Sequence, residues 1–497
     1  MSYVLGIDLG TSSLKGLLMN QQGEIVATAS SNYDLHHPAP GFSEQNPEDW
    51  YTACVAVMEK LNITVTDFKE QLEGISFSGQ MHSLVLLDED LNVLRPAILW
   101  NDVRTTAECE FIMSTYSNEL YAITKNRALE GFTLPKVLWV QKHEPDIWQK
   151  VAHLLLPKDY LRLKLTGQLN MDYADAAGTL LFDINAKQWS QSILDQFQIP
   201  INILPTAVES IAYVGDLLAD SVPNITFEKT VKVFAGGADN ACAALGAGVM
   251  DETVGMSSIG TSGVFLAYEQ NGQSDYQGKL HLFNHTIPNS YYSMGVTLAA
   301  GHSLSWFKET FAADLSFDEL LEDIADVPIG SKGLLFTPYI SGERTPHIDS
   351  TIRGSFIGID ASHSLKHFTR SVIEGITFSL KDVQMLMTEA ANKSFEKIIS
   401  VGGGAQNPTW LQIQADVFNA PVVALKSEQG PGLGAAMIAT LGLGWFPSVE
   451  ACVTQCVTYK NPVNPIPENV NKYQQIYAVY KTVYTNTKEL SRQLSHL

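Results

Sequence analysis

The chain has 497 residues, 45% of them hydrophobic and 17% charged, enough apolar mass for two or three cores of roughly 150 residues each. Its 53 acidic against 32 basic residues leave a net charge of −21, and no Lys/Arg block interrupts that field, which repels a nucleic-acid backbone and leaves small molecules as the expected partners. Five scattered cysteines (Cys54, Cys109, Cys242, Cys452 and Cys456) suit a reducing compartment, and the Cys452/Cys456 pair has no neighbouring ligand to complete a metal site. Without a leader pattern or a membrane-length apolar run, the expected location is the cytoplasm.

Strand-like runs alternate with helical ones, which predicts an α/β protein. YVLGID at residues 3–8 is a buried strand, and the following segment continues as a hairpin turning at Gln22-Gly23. The helix after Asn46 has a plausible N-cap in Asn46, Pro47 as its first residue, and Glu48 and Asp49 at its positive end. GISFSG and SLVLLD are strands flanking Gly79, Gln80, Met81 and His82. The glycine-rich residues 235–248, followed by Gly255, are the candidate domain hinge. Beyond Trp445, prolines at 462, 465 and 467 precede a Tyr-rich helix that reads as a packing appendage.

Several segments carry chemistry. GIDLGTSSLKG, residues 6–16, has the glycines and hydroxyls of a phosphate cradle without the P-loop or dinucleotide spacing. It is echoed by MSSIGTSGVFL at residues 256–266. A Gly-Thr-Ser turn offers backbone N–H groups and hydroxyls to an anion, so two facing turns predict a grip on a polyphosphate, although such a turn is also ordinary hairpin chemistry. Asp239 follows a glycine pair where a strand gives way to an Ala-rich helix, a place that also suits a simple N-cap. In residues 400–418 a strand, a glycine turn (Gly402, Gly403, Gly404) and a helix leave room for a flat ring.

The collinear motifs SEQNPEDW, GQMH, ILWNDVR, GGADN, IGTSG, LAAGHSLSWF, SGERTPH, IEGITFSL and VGGGAQNP, together with residues 6–16, resemble the FGGY family of carbohydrate kinases over residues 3–444. That resemblance implies two actin-like, ribonuclease H-like α/β ATPase domains enclosing a nucleotide and sugar cleft, with an N-terminal domain at 1–247, a C-terminal domain at 248–444 and an appendage at 445–497. Within the family the motifs look most like those of the xylulose-phosphorylating members. Ser83 departs from the glycine expected there and resembles the gluconate-phosphorylating members, so D-xylulose is the first expectation and gluconate the second. A non-catalytic ATP-binding sensor on the same fold is the rival from another class.

Residue by residue, the resemblance implies ATP and Mg²⁺ as reactants. Asp8 holds the metal, Gly10, Thr11 and Ser12 cradle phosphate oxygens, and Asp239 takes the proton from the sugar's primary hydroxyl. Met81 and His82, with Trp100 and Asn240, contact the sugar. Gly260 and Thr261 form the second phosphate turn, and Gly301, Gly403, Gly404 and Asn407 bed the ribose and adenine. Lys15 has no support as a phosphate ligand, Arg344 is placed within reach of the cleft, and a homodimer follows by family analogy alone.

Overall fold

The computed structural model describes residues 2–495. In the first half, β1 (Tyr3–Leu9) forms an antiparallel hairpin with β2 (Ser13–Asn20), and β3 (Ile25–Asn32) follows after a turn in which Gly23 has φ 79°. Helix α1 (Pro47–Thr64) begins as its sequence dictates, with the Asn46 side chain accepting from the Glu48 N–H at 3.3 Å. Its Trp50, Cys54, Val57 and Leu61 are fully buried, each such apolar side chain contributing about 1.5–3 kcal/mol. On the other side of β1 runs β4 (Leu72–Gly79), parallel to it, with Asp8 opposite Ser78.

Beyond helix α2 (Pro157–Thr166), the sheet is completed by β5 (Tyr213–Asp216), β6 (Lys232–Phe234) and the short β7 (Gly237–Ala238), which leads directly into α3 (Asp239–Ala247). The strand order is β5-β6-β4-β1-β2-β3, with β7 also paired to β4.

The second half repeats this plan. β8 (Val254–Ile259) and β9 (Gly263–Glu269) form the hairpin, and β10 (His281–Asn284) and β11 (Tyr291–Thr297) extend it. Helices α4 (Gly301–Phe311) and α5 (Leu365–Ala391) precede β12 (Lys397–Gly402), α6 (Pro408–Phe418), β13 (Val422–Ala424) and α7 (Pro431–Gly442). The order is β10-β11-β9-β8-β12-β13, in which β8 is antiparallel to β9 and parallel to β12. The two Gly-Thr-Ser turns therefore occupy equivalent places, each joining the first two strands of its sheet.

The halves interlock. α7, from the second half, packs on α3 and on β1 and β4 of the first sheet, and a β-carbon at Gly434 would overlap the backbone carbonyl of Cys242. Most of the glycine-rich stretch at 235–248 is thus helix α3, and the glycines at this crossing serve close backbone approach. The Tyr-rich tail is α8 (Pro467–Leu494). Tyr473 donates to Glu374 at 2.8 Å, Tyr477 to Asp382 at 2.5 Å, and Tyr480 meets the Tyr339 hydroxyl at 3.3 Å, so one face of α8 is bonded to the second lobe. Among the described residues no helix is long and apolar enough to cross a membrane.

Candidate active site

The C-terminal edge of the first sheet brings two carboxylates together. Asp8 lies opposite Ser78, and Ser78 lies opposite Gly237, so Asp239, two residues further on, stands on the far side of β4 from Asp8. Burial raises the Asp8 pKa to about 6, against a lowering pull from Ser78 and Lys15. Burial and the Asp8 charge raise Asp239 to about 7, although the Asn240 backbone N–H and side-chain amide both donate to it at 2.7 and 2.9 Å. Asp239 is the first residue of α3, whose N-cap is Ala238, so the capping role weighed for this aspartate does not apply. Lys15 is paired with Asp8 across the hairpin and its amine reaches the Gln429 side chain at 3.4 Å; its charge acts on Asp8 from there.

The first phosphate turn is held from behind. Tyr33 donates to the Gly10 carbonyl at 2.5 Å, and the Gln45 amide donates to the Thr11 carbonyl at 2.6 Å. Gln45 accepts in turn from Trp50 at 3.1 Å and Gln80 at 3.3 Å, which ties SEQNPEDW and GQMH to the same turn. With its carbonyls drawn back, the exposed Ser12 lies at the end of the hairpin. Trp100, 42% exposed, donates its indole N–H to the Thr11 hydroxyl at 2.9 Å.

Two cavities meet at the second turn. One, of about 640 Å³, is lined by Gly260, Thr261, Gly301, Gly403, Gly404 and Asn407, all the nucleotide positions expected in the second half. It lies at the N-termini of α4 and α6, whose helix dipoles favour an anion, although the Gly301 and His302 N–H groups already donate to the Gly260 and Thr261 carbonyls at 2.8 and 3.0 Å. Gly301 is there by necessity, since a β-carbon would overlap the Gly260 carbonyl. Asn407 caps α6 by accepting from the Trp410 N–H at 3.0 Å. Gly10, Thr11 and Ser12 do not line this cavity.

The other cavity, of about 270 Å³, is lined by Met81, His82, Trp100, Asp239, Asn240 and Arg344 together with Ser262 of the second turn. It falls below the roughly 300–1,000 Å³ of drug-sized ligand sites. His82 has φ 66°, unusual outside glycine, a strain of about 1–3 kcal/mol of the kind found at binding sites. Its Nδ1 lies 2.6 Å from the Gly178 carbonyl, so Nδ1 carries the hydrogen and Nε2 is an acceptor. Burial, first, and the Lys136 charge lower its pKa to about 3, so the ring is neutral.

Ser83 faces elsewhere. It is fully buried, accepts from the Trp100 backbone N–H at 3.0 Å and contacts the Gln80 side chain at 3.2 Å, and it is not among the residues lining the sugar-sized cavity. Behind the wall, Lys158 bridges Asp159, Asp172 and Asp175 in a fully buried cluster. These three carboxylates have metal-like spacing, but the Lys158 amine occupies their centre. Sequence reading missed this cluster and the roles of Ser262, His281 and Gln45.

Asp8 and Asp239 form no ion pair with a cation among the described residues. A half-buried pair of carboxylates, with Lys15 the one cation acting on Asp8 and none bonded to either, fits a hard cation such as Mg²⁺, which takes one or two carboxylates and keeps waters. Duplicated lobes, with a nucleotide-sized cavity and a polar pocket that meet at the second Gly-Thr-Ser turn and with Asp239 on the pocket's wall, define an actin-like ATPase that transfers phosphoryl groups. Residues 3–246 match the N-terminal domain, and residues 255–443 the C-terminal domain, of the FGGY family of carbohydrate kinases.

Two relatives extend over the whole chain. The Xylulose kinase of Lactococcus lactis subsp. lactis (strain IL1403) is 56% identical, and that of Bacillus subtilis (strain 168) 52%, each over 99% of both chains. A solved structure of a kinase from Brucella ovis, described as a xyloylose kinase, superposes with a TM-score of 0.92 at 32% identity, covering 98% of this chain and 99% of that one. The chain belongs to the FGGY family of carbohydrate kinases.

Proposed function

We propose that the chain transfers the γ-phosphoryl group of ATP to O5 of D-xylulose, giving D-xylulose 5-phosphate and ADP. The observation that carries this reading is the placement of Asp239 on the wall of the small cavity, beside Asp8, where the second Gly-Thr-Ser turn turns Gly260 and Thr261 to one cavity and Ser262 to the other. The relatives named as xylulose kinases support the choice of sugar, and the turning away of Ser83 removes the residue that favoured gluconate.

The chemistry follows from the residues. In the ring form of a 2-ketopentose O5 is the ring oxygen, so the acceptor is the open-chain sugar. Asp239, with a pKa near the working pH, accepts the O5 proton as the O5–P bond forms and the bond from γ-phosphorus to its bridging oxygen breaks, releasing ADP. Neutral His82 and Asn240 orient the sugar's hydroxyls. Asp8 would hold Mg²⁺, which neutralises phosphate charge when bound. Gly10, Thr11, Ser12, Gly260 and Thr261 would contact phosphates, and Gly301, Gly403, Gly404 and Asn407 the nucleoside. The domains at 1–247 and 248–444 would close on the substrates, excluding water from the γ-phosphate. The reaction takes place in the cytoplasm.

The test is ADP release from Mg-ATP with D-xylulose, D-ribulose, gluconate or glycerol, for the wild type and Asp239→Asn. Turnover is expected with D-xylulose, with kcat lowered by roughly 10²–10⁴ in the variant. Faster turnover with gluconate would overturn the substrate, and no sugar-stimulated release in a folded, ATP-binding protein would favour the sensor.

A further inference from the structure

The geometry points to Arg344 as the residue by which the second lobe reads the sugar's far end, the C1 hydroxyl and C2 carbonyl, an assignment that rests on the sugar-kinase reading above. Arg344 comes from the second half of the chain and lines the small cavity together with Met81, His82 and Asp239 of the first. It is half-buried, and its guanidinium makes no hydrogen bond or ion pair with the described residues. The adjoining carboxylate does not serve it. Glu343 accepts instead from the Thr297 hydroxyl at 2.6 Å, the Ser379 hydroxyl at 3.2 Å, and the Leu298 and Arg344 backbone N–H groups at 3.2 and 2.8 Å.

A guanidinium keeps its charge and brings five donors in a rigid fork. Half-buried, with the Glu130 and Glu343 charges acting on it but no acceptor bonded to it, the group keeps its donors free for oxygens supplied by a ligand in the cavity. The cavity's other basic groups, His82 and His281, are held neutral by burial. With Asp239 engaged by O5, the open-chain ketose offers at its other end a hydroxyl and a carbonyl on adjacent carbons, two oxygens side by side that suit the fork as a carboxylate does. A polyol lacks the carbonyl. The supporting backbone is fixed, since the Thr345 N–H donates to the Val296 carbonyl at 3.0 Å and the Val296 N–H to the Thr345 hydroxyl at 3.1 Å.

The experiment compares Arg344→Met and Arg344→Lys with the wild type, using D-xylulose, xylitol and ATP, with the Kd of a non-hydrolysable ATP analogue measured for each. In Arg344→Met the KM for D-xylulose is expected to rise about 100-fold, with kcat changing far less, the analogue Kd unmoved and the preference for ketose over polyol reduced. Lysine restores part of the loss. A D-xylulose KM within twofold of wild type, or an unchanged ketose-to-polyol preference, overturns the assignment. If Arg344→Met fails to bind the analogue, Arg344→Lys decides alone, a KM rise of about tenfold supporting the role and no rise overturning it. A wild type that prefers another sugar of the panel overturns the D-xylulose reading, and the same KM comparison on that sugar then judges Arg344.

Discussion

At Asp239, burial and the charge of Asp8 act in one direction, and together they bring the carboxyl to a pKa of about 7. As a base it works only when ionised, so kcat/KM for the sugar is expected to fall about tenfold per pH unit below about 7 and to level off above it. Stability moves the opposite way. A carboxyl raised from 3.8 to about 7 on folding binds more protons in the native state, so its contribution is present below pH 4 and is lost as pH rises through 7. Asp239→Asn removes that loss. Thermal melts should therefore show the variant gaining on the wild type between pH 5 and pH 8, and a constant difference would contradict the assigned environment. The positions of Asp8 and Asp239 were legible because one stands at the end of the first strand and the other between a short strand and a helix, each beside a glycine motif. The Trp100 bond to Thr11 was not, because the partners lie 89 residues apart and sequence carries no distance. Ser83 misled for the same reason, since its identity was readable but the direction of its hydroxyl was not.

Among the elements, the crossing of α3 and α7 couples the halves most tightly. The Gly434 Cα faces the Cys242 carbonyl with no room for a methyl group, and both partners are backbone, so neither relaxes by changing a rotamer. Gly434→Ala is expected to destabilise the protein by about 3 kcal/mol or more, the upper end for overpacking; a urea-unfolding midpoint equal to that of the wild type would show that the helices separate freely. The β1–β2 hairpin, the capped α1 and the Tyr-rich α8 were legible from alternation, capping residues and composition. This crossing was not, because it pairs a helix of the second half with the sheet of the first, and local periodicity says nothing of such interleaving.

For the molecule as a whole, duplication explains why one chain offers two cavities that meet at a turn. Each sheet presents a Gly-Thr-Ser hairpin at the end of its first strand, and the second hairpin stands between the nucleotide-sized cavity and the sugar-sized one. Transfer between them needs no intermediate on the protein, only an acceptor held in line. The acidic field of a chain with net charge −21 is then set against anionic substrates, which is consistent with phosphate recognition by backbone N–H groups and helix N-termini rather than by a basic patch. The echo of the two turns was visible in sequence, whereas the placement of Ser262 on the sugar side was not. The most direct measurement is phosphorus NMR of the product formed from Mg-ATP and D-xylulose. The account predicts ADP and a phosphate monoester coupled to the C5 methylene protons; inorganic phosphate alone, or an ester on another carbon, would contradict it.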